Sequence, residues 1–345
     1  MSGGVDSFVA AALLRDAGHE VTGVFLCLGR GGDPDSRGCC SPQDAADARR
    51  VAVALGIDLF VLDAAADFER IIDGFAAEYA DGRTPNPCVR CNREVKLARL
   101  LRHAEALGFD GVATGHYARV VERGGAPALA RAAALAKDQS YVLFALPREA
   151  LGRLVLPLGD LPGKGETRGL ARGLGLPVHD KPDSMEICFV EGGDHARVLA
   201  DRAPRALTPG PVVDGAGRVL GRHDGYGRYT IGQRRGLGIA SAGRLYVTGI
   251  DPATATVRVG PREATLALGL TVAEATWHQD APESFEGTVQ IRSMHGGARA
   301  GIRRVGSDRF EVEFREPVHA AAPGQAAVVY VDGTVVGGGF IESAR

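Results

Sequence analysis

The chain has 345 residues, of which 45% are hydrophobic and 24% charged, with a formal net charge of −2. That composition excludes general disorder, and the length predicts two or three domains. No apolar run is long enough to span a bilayer, no secretion signal opens the chain, and six cysteines are too few for a disulfide scaffold. Near-neutral charge gives no global sign of nucleic-acid binding, although a local patch can hide within it. Only four of the 40 basic residues are lysine (Lys96, Lys137, Lys164 and Lys181), so each lysine stands out against arginine.

In chain order, residues 7–18 predict a helix that stops at a glycine, and 20–28 a buried, β-branched strand. Residues 42–56 predict a helix with an early proline, and 57–63 a strand. Residues 92–108 predict a helix with Asn92 as its cap, and 109–121 a further strand. Strands alternating with helices imply a parallel α/β sheet. Residues 148–176 predict two helical pieces broken by Pro157 and Pro162. Beyond residue 205, Gly and Pro punctuate short runs such as RVLG, RYTI, RLYVTGI, TVRVG, GTVQIR, FEVEF and AAVVYV, which predict an all-β region. A turn-rich stretch at 262–270 divides it into two small barrels. The expected domains are therefore 1–204, 205–265 and 266–345.

Ser2-Gly3-Gly4-Val5-Asp6-Ser7 stands directly before the first helix. Glycines let several N–H groups face one anion, and a helix N-terminus adds positive potential. The run is neither a Walker loop nor GxGxxG. A loop of this kind closes a strand, yet only Met1 precedes it. The expectation is that the first strand is missing from this chain and that the native protein carries an upstream apolar strand of about five residues.

Residues 84–92 read Thr-Pro-Asn-Pro-Cys-Val-Arg-Cys-Asn, followed by a helix bearing Lys96. Two prolines fix this loop and present Cys91 near a helix N-terminus, with Arg90, Arg93 and Lys96 close by in sequence. Such surroundings favour a thiolate. Half of a zinc site is the competing reading, and no second CxxC or HxxxH supports it. Cys188, inside Ile187-Cys188-Phe189, reads on its face as a buried thiol in a core strand. Cys39 and Cys40 lie on a loop without an evident role.

The motifs SGGVDS, TPNPCVRCN, ATGHYAR (113–119), KDQSYVLF (137–144), DSMEICFV (183–190), TIGQRRGLGI (230–239), PGQAAVVY (323–330) and GGGFIE (337–342) run through the whole chain. In that order they resemble the bacterial tRNA-specific 2-thiouridylases of the ATP pyrophosphatase (PP-loop) superfamily. The resemblance implies an adenine nucleotide α-hydrolase-like α/β domain followed by two small β-barrel domains. It also implies ATP and Mg²⁺, and replacement of O2 by sulfur in the wobble uridine of Lys, Glu and Gln tRNAs. The base is first adenylated with release of pyrophosphate, then thiolated from a protein persulfide with release of AMP.

By that resemblance Cys188 carries the persulfide and Cys91 is the nucleophile that frees its sulfur, ending in a Cys91–Cys188 disulfide. Cys88 is a further catalytic candidate. Ser2 to Ser7, Leu26 and Gly115 match nucleotide contacts. Asn86, Pro87, Cys88, His116, Lys137, Asp138, Gln139, Arg292, Ser293 and Gln325 match tRNA contacts. A cysteine desulfurase or a sulfur-relay protein would be the donor, and the chain would act as a cytoplasmic monomer away from membranes.

Independently of the resemblance, residues 202–262 hold ten Arg against three Asp, an excess of seven positive charges centred on Arg234 and Arg235. A phosphate-binding face is the expected use. Two other readings stay open on the residues alone. One is a PP-loop synthetase acting on a small substrate. The other is an RNA-binding protein with a [4Fe–4S] cluster on Cys88, Cys91 and Cys188.

Overall fold

The computed structural model describes residues 1, 3–29, 42–176, 179–181, 187–241 and 243–345. The chain forms two compact units. One comprises Met1–Ile71, Cys88–Gly193 and Asp332–Val335; the other comprises Ile72–Pro87, Asp194–Val331 and Val336–Arg345.

The first unit starts with helix α1 (Val5–Asp16), which buries Phe8, Val9 and Ala12. Strand β1 (Gly23–Cys27), helix α2 (Pro42–Leu55) and strand β2 (Leu59–Asp63) follow. β1 and β2 pair in parallel, from Gly23 opposite Leu59 to Cys27 opposite Asp63. The Met1 amine donates to the Val24 carbonyl of β1. Helix α3 (Ala65–Ala80) has no counterpart in the expected elements. Its apolar residues Phe68, Ile71, Ile72, Phe75 and Tyr79 recur at helical spacing and are all buried.

After α3 come α4 (Pro87–Arg90), a π-helical turn over Cys91–Lys96, and α5 (Leu97–Ala106). The expected helix therefore begins five residues early, at Pro87. Asn92 is not its cap: it lies inside the π turn, where its amide donates to the Val142 carbonyl. Cys88, rather than Cys91, occupies the first helical turn.

The expected strand at 109–121 divides into β3 (Val112–Ala113) and β4 (Ala118–Arg123). β4 turns back into an antiparallel hairpin with β5 (Ala126–Arg131), a segment with no β-branched residue to announce it. Residues 332–335 count with this unit, and Thr334 pairs with Ala130. α6 (Ser140–Leu143) follows the hairpin. The first of the two expected helical pieces is a 3₁₀ turn, Arg148–Arg153, leading into strand β6 (Leu154–Val155), which pairs in parallel with β3. The second piece is α7 (Lys164–Gly173).

The second unit holds the later half of α3, helix α8 (Ala196–Arg202) and the β region. Strands β7 (Gly210–Val213), β8 (Val219–His223), β9 (Tyr246–Asp251) and β10 (Thr256–Gly260) form a four-stranded sheet in the order β8-β7-β10-β9. RYTI is not a strand; the chain there leaves a 3₁₀ turn at Tyr226–Arg228.

β11 (Leu266–Trp277) corrects the reading of 262–270 as turn. Only Arg262–Thr265 turns, and the strand then runs for 12 residues. With β12 (Ser284–Gln290), β13 (Ala298–Arg304), β14 (Phe310–His319), β15 (Ala326–Val331) and β16 (Thr334–Ala344), it forms a six-stranded barrel. The barrel closes by antiparallel pairing of β11 with β16, from Leu270 opposite Ala344 to Trp277 opposite Gly337. Leu270, Val272, Ile302, Phe310, Val312 and Val329 fill its interior. Closure leaves no strand edge open to solvent. Fold class is thus a parallel α/β domain followed by β-barrel regions, as the motifs imply.

Candidate active site

The phosphate loop is shaped for close backbone approach. Gly3 lies at φ +79, and a Cβ there would sit 2.5 Å from the Asp44 side chain, so only glycine fits. Gly4 caps α1 and has no side chain to bond the helix end. The start of α1 presents backbone N–H groups and the positive end of the helix dipole, the arrangement that suits an anion. The Ser7 hydroxyl donates to the Gly4 carbonyl at 3.1 Å. Ser2 lies outside the described residues.

Gly115 supports the loop from the other side. A Cβ at this position would lie 2.6 Å from the backbone of Asp6 and Ser7. That approach explains why 109–121 cannot run as one strand: the chain must bend in to meet the loop. His116 bonds through Nδ1 to the Thr114 hydroxyl at 2.9 Å. Burial, with the Lys96 ammonium acting in the same direction, pushes its imidazole down to about 3, so the ring is neutral at physiological pH.

Asp6 is the centre of a polar network that sequence reasoning missed. Lys164 Nζ donates to both of its carboxylate oxygens, at 2.7 and 2.6 Å. The Tyr117 hydroxyl donates to the same carboxylate at 3.2 Å and lies 2.5 Å from the Thr167 hydroxyl. The scarcity of lysine was the one signal in the sequence that could have pointed to Lys164. A second lysine, Lys181, bridges Asp44 at 2.6 Å and Asp47 at 2.9 Å. Burial opposes its charge, but the hydrogen bonds it donates to the two carboxylates outweigh this and hold the ammonium pKa above its ordinary value. Lys181 thus ties the segment before Cys188 to the helix that touches Gly3.

The thiols differ in access. Cys91 is buried, Cys88 exposed and Cys188 intermediate. Cys188 is not on a strand. Val190 N bonds back to the Ile187 carbonyl, Phe189 packs edge-on against Phe68, and a 3₁₀ turn follows at Glu191–Gly193. Cys39, Cys40 and residues 183–186 lie outside the described residues. Among the described residues no three His, Cys, Asp or Glu side chains are grouped to hold a metal. The described residues therefore give no support to a [4Fe–4S] cluster on Cys88, Cys91 and Cys188. Mg²⁺ typically takes one or two carboxylates and completes its shell with substrate phosphates and water, and Asp6 would serve it once its ion pair with Lys164 opens.

Several residues expected at the RNA face are engaged within the protein. Asp138 accepts from Ala132 N, Ser140 N, the Ser140 hydroxyl and Arg131, and its side chain is 3% exposed. Its role is to fix the loop that carries Lys137, which is exposed. Gln139 accepts from Tyr117 N at 2.8 Å. Leu26 lies half-buried on β1.

In the second unit, Gln325 donates to the carbonyls of Thr84 and Pro85, both at 3.1 Å, and so holds the loop that leads to Asn86 and Pro87. Arg292 and Ser293 are exposed, and Arg292 donates to the His319 carbonyl at 3.0 Å. The basic excess is partly spent internally: Arg202 pairs with Asp73, Arg205 with Asp81, Arg218 with Asp214 and Arg228 with Asp194. Arg234 and Arg235 are exposed, and among the described residues their side chains make no ion pair or hydrogen bond. Arg234 borders an open cavity of about 590 Å³ lined by Leu237, Ile239, Arg244 and Leu245.

A glycine-shaped loop at a helix N-terminus, in a parallel α/β unit, has the form of a phosphate-binding domain. Family profiles agree. Residues 1–192 match a profile described as a tRNA methyl transferase HUP domain, 197–261 a tRNA methyl transferase PRC-barrel domain, and 268–341 an aminomethyltransferase beta-barrel domain. The tRNA-specific 2-thiouridylase MnmA of Acidothermus cellulolyticus is 49% identical over 354 residues, covering 100% of this chain and 97% of that protein. Proteins of the same name from Chloroflexus aurantiacus and Geobacter metallireducens are each 47% identical, covering 99% and 100% of this chain and 96% of each relative. The chain belongs to the tRNA-specific 2-thiouridylase family, a family of tRNA sulfurtransferases. Among solved structures, NMN synthetase from Francisella tularensis matches 53% of this chain and 63% of its own at 18% identity, with a TM-score of only 0.34.

Proposed function

We propose that this protein performs the ATP-dependent 2-thiolation of the wobble uridine in Lys, Glu and Gln tRNAs. The observation that carries the reading is the open phosphate loop, Gly3 to Ser7, in a chain whose full-length relatives are tRNA-specific 2-thiouridylases. A carbonyl oxygen is a poor leaving group, so it must be activated before sulfur can replace it. Uridine O2 attacks the α phosphate of ATP, the bond to the bridging oxygen breaks, and pyrophosphate departs with that electron pair. N–H groups at the start of α1 stabilise the phosphate charge. Mg²⁺ held through Asp6 would supply further charge neutralisation when bound.

In the second stage the terminal sulfur of a Cys188 persulfide is delivered to C2. The Cys91 thiolate attacks the inner sulfur of Cys188, forming the Cys91–Cys188 disulfide, and AMP leaves the base. A reductant, such as a dithiol, must then restore both thiols. Cys88, in the first turn of α4, and Asn86 and Pro87 before it line the approach of the base. Leu26 and Gly115 contact the nucleotide. In the first unit His116, Lys137 and Gln139 contact tRNA, with Asp138 fixing the loop of Lys137; in the second unit Arg234, Arg235, Arg292 and Ser293 contact tRNA, with Gln325 fixing the loop at Thr84 and Pro85. The target base must leave the anticodon stack to reach the loop.

The division of labour is residues 1–204 for ATP and sulfur chemistry, 205–265 for tRNA binding and 266–345 for the barrel. The sulfur source is a cysteine desulfurase or sulfur-relay protein, and the enzyme works as a cytoplasmic monomer. Among the described residues no helix is long and apolar enough to cross a membrane.

The test is incubation with ATP, Mg²⁺, unmodified tRNA and a desulfurase with cysteine, reading 2-thiouridine and pyrophosphate. Cys188→Ser is expected to release pyrophosphate but to form no 2-thiouridine. Normal thiolation by this variant would remove the persulfide assignment.

A further inference from the structure

Two anchors flank Cys188 in the chain. Downstream, Phe189 is buried against Phe68, and Val190 N bonds back to the Ile187 carbonyl. Upstream, seven positions before Cys188, stands Lys181, one of four lysines in a chain that otherwise uses arginine. Its ammonium donates to Asp44 at 2.6 Å and to Asp47 at 2.9 Å, and its carbonyl accepts from Arg168 of α7 at 3.1 Å. Pro182 follows in sequence and narrows the backbone freedom of Lys181. Both acids lie on α2 and are buried. Burial raises the Asp47 pKa, but hydrogen bonds from Lys181, Arg50 and Gln43 outweigh it and hold the carboxyl below its ordinary value. A Cβ on Gly3 would strike the Asp44 side chain at 2.5 Å. Asp44 thus meets the phosphate loop on one side and Lys181 on the other.

We propose that Lys181 is a positioning residue for sulfur transfer: it registers the Cys188 segment against the phosphate loop, so that the persulfide sulfur meets C2 of the adenylated base. This inference rests on the thiolation reading above. In that step the Cys91 thiolate attacks the inner sulfur, the terminal sulfur bonds to C2, and AMP leaves with the electron pair of its bond to the base. The phosphate loop places the adenylated base through its α phosphate, whereas the persulfide rides on another segment. The two must be held in register for the sulfur to arrive in line. An ammonium with three donors can bridge two carboxylates one helical turn apart, which fixes it from two directions. Pyrophosphate leaves before the sulfur step and asks nothing of this link.

The experiment uses the full chain with saturating ATP, Mg²⁺, unmodified tRNA and a desulfurase with cysteine. It compares wild type with Lys181→Met, Asp47→Asn and Lys181→Arg. Two first-turnover rates are read, pyrophosphate release and 2-thiouridine formation. Their ratio does not depend on the fraction folded, so a merely structural role leaves it unchanged even where the melting temperature falls. Misplacing a reacting group by about 1 Å can cost about 10²-fold, so Lys181→Met is expected to slow thiolation about 10- to 100-fold while pyrophosphate release stays within about threefold of wild type. Lys181→Arg keeps the charge and can bridge the same acids, and is expected to restore the ratio to within about threefold. A ratio in Lys181→Met within about threefold of wild type overturns the proposal.

Persulfide loading of Cys188, read by mass spectrometry, is expected to match wild type. Slow thiolation explained by an unloaded cysteine also overturns the proposal. Should Lys181→Met fail to fold, Asp47→Asn decides: with one of two acceptors weakened the ratio is expected to fall about three- to tenfold, and an unchanged ratio overturns the assignment. If wild type itself forms no 2-thiouridine, the proposed function fails and this inference with it.

Discussion

The two units differ in how charge is arranged around the phosphate loop and around Arg234 and Arg235. In the first, the charged groups around the phosphate loop engage one another: Lys164 sits on Asp6, and Lys181 spans Asp44 and Asp47. In the second, the barrel interior is apolar, and Arg234 and Arg235 stand exposed in a glycine-rich loop. Paired, half-buried charges are held in one geometry and suit a reaction at a fixed phosphate. Exposed arginines suit a long, flexible polyanion whose counterions they displace. On the proposed function, chemistry and capture would be separated by how much water the chain leaves around its charges.

The comparison breaks most visibly at Asp6. Asp6→Ala is expected to abolish pyrophosphate release while leaving tRNA retention intact, measured by filter binding beside a pyrophosphate assay. Loss of tRNA binding in this variant would mean that capture and chemistry are not separate.

The converse change is Phe310→Ala, which empties a fully buried site in the barrel. It is expected to cost about 3–5 kcal/mol of stability by denaturant unfolding. Protein that remains folded should retain ATP affinity.

A smaller effect sharpens the contrast. Arg234→Ala with Arg235→Ala should lower the slope of log affinity for tRNA against log salt by about one to two units. ATP binding should be unchanged. An unaltered slope would show that these arginines do not touch phosphate.

The smallest effect concerns His116, whose imidazole is pushed down to about 3. Its ring resonances should stay fixed between pH 5 and 8 by NMR. Because the unfolded ring takes a proton near 6.5, its contribution to stability is complete above that pH. It is lost progressively as pH falls toward 3. A titration near 6.5 in the folded protein would show the ring to be solvated.

Much of this organisation is legible in the sequence, because a glycine-shaped loop, a proline-fixed cysteine segment and runs of β-branched residues impose local geometry. What was not legible depends on partners distant in sequence. Ile-Cys-Phe reads as a strand, yet Phe189 docks on Phe68 and the chain turns at once. Gln325 and Asp138 match tRNA contacts by resemblance, and only the fold reveals the carbonyls and N–H groups that occupy them. β11 was hidden because a real turn at 262–265 and Gly269 sit at its start. α3 is different: its helical spacing was present in the sequence and went unread.

The bonds from Gln325 to Thr84 and Pro85 join residues about 240 positions apart, 241 for the Thr84 bond. Asp73 and Asp81 of the same early segment wait for Arg202 and Arg205, 129 and 124 residues later. At a synthesis rate of roughly 5–20 residues per second, the loop ahead of the cysteines leaves the ribosome some 12–50 s before its anchor exists. During the first part of that interval Phe75 and Tyr79 of α3 also lack the His195 ring they pack against. The nascent chain therefore exposes an apolar helix face, and chaperone binding is expected to concentrate on that stretch until the segment around His195 emerges.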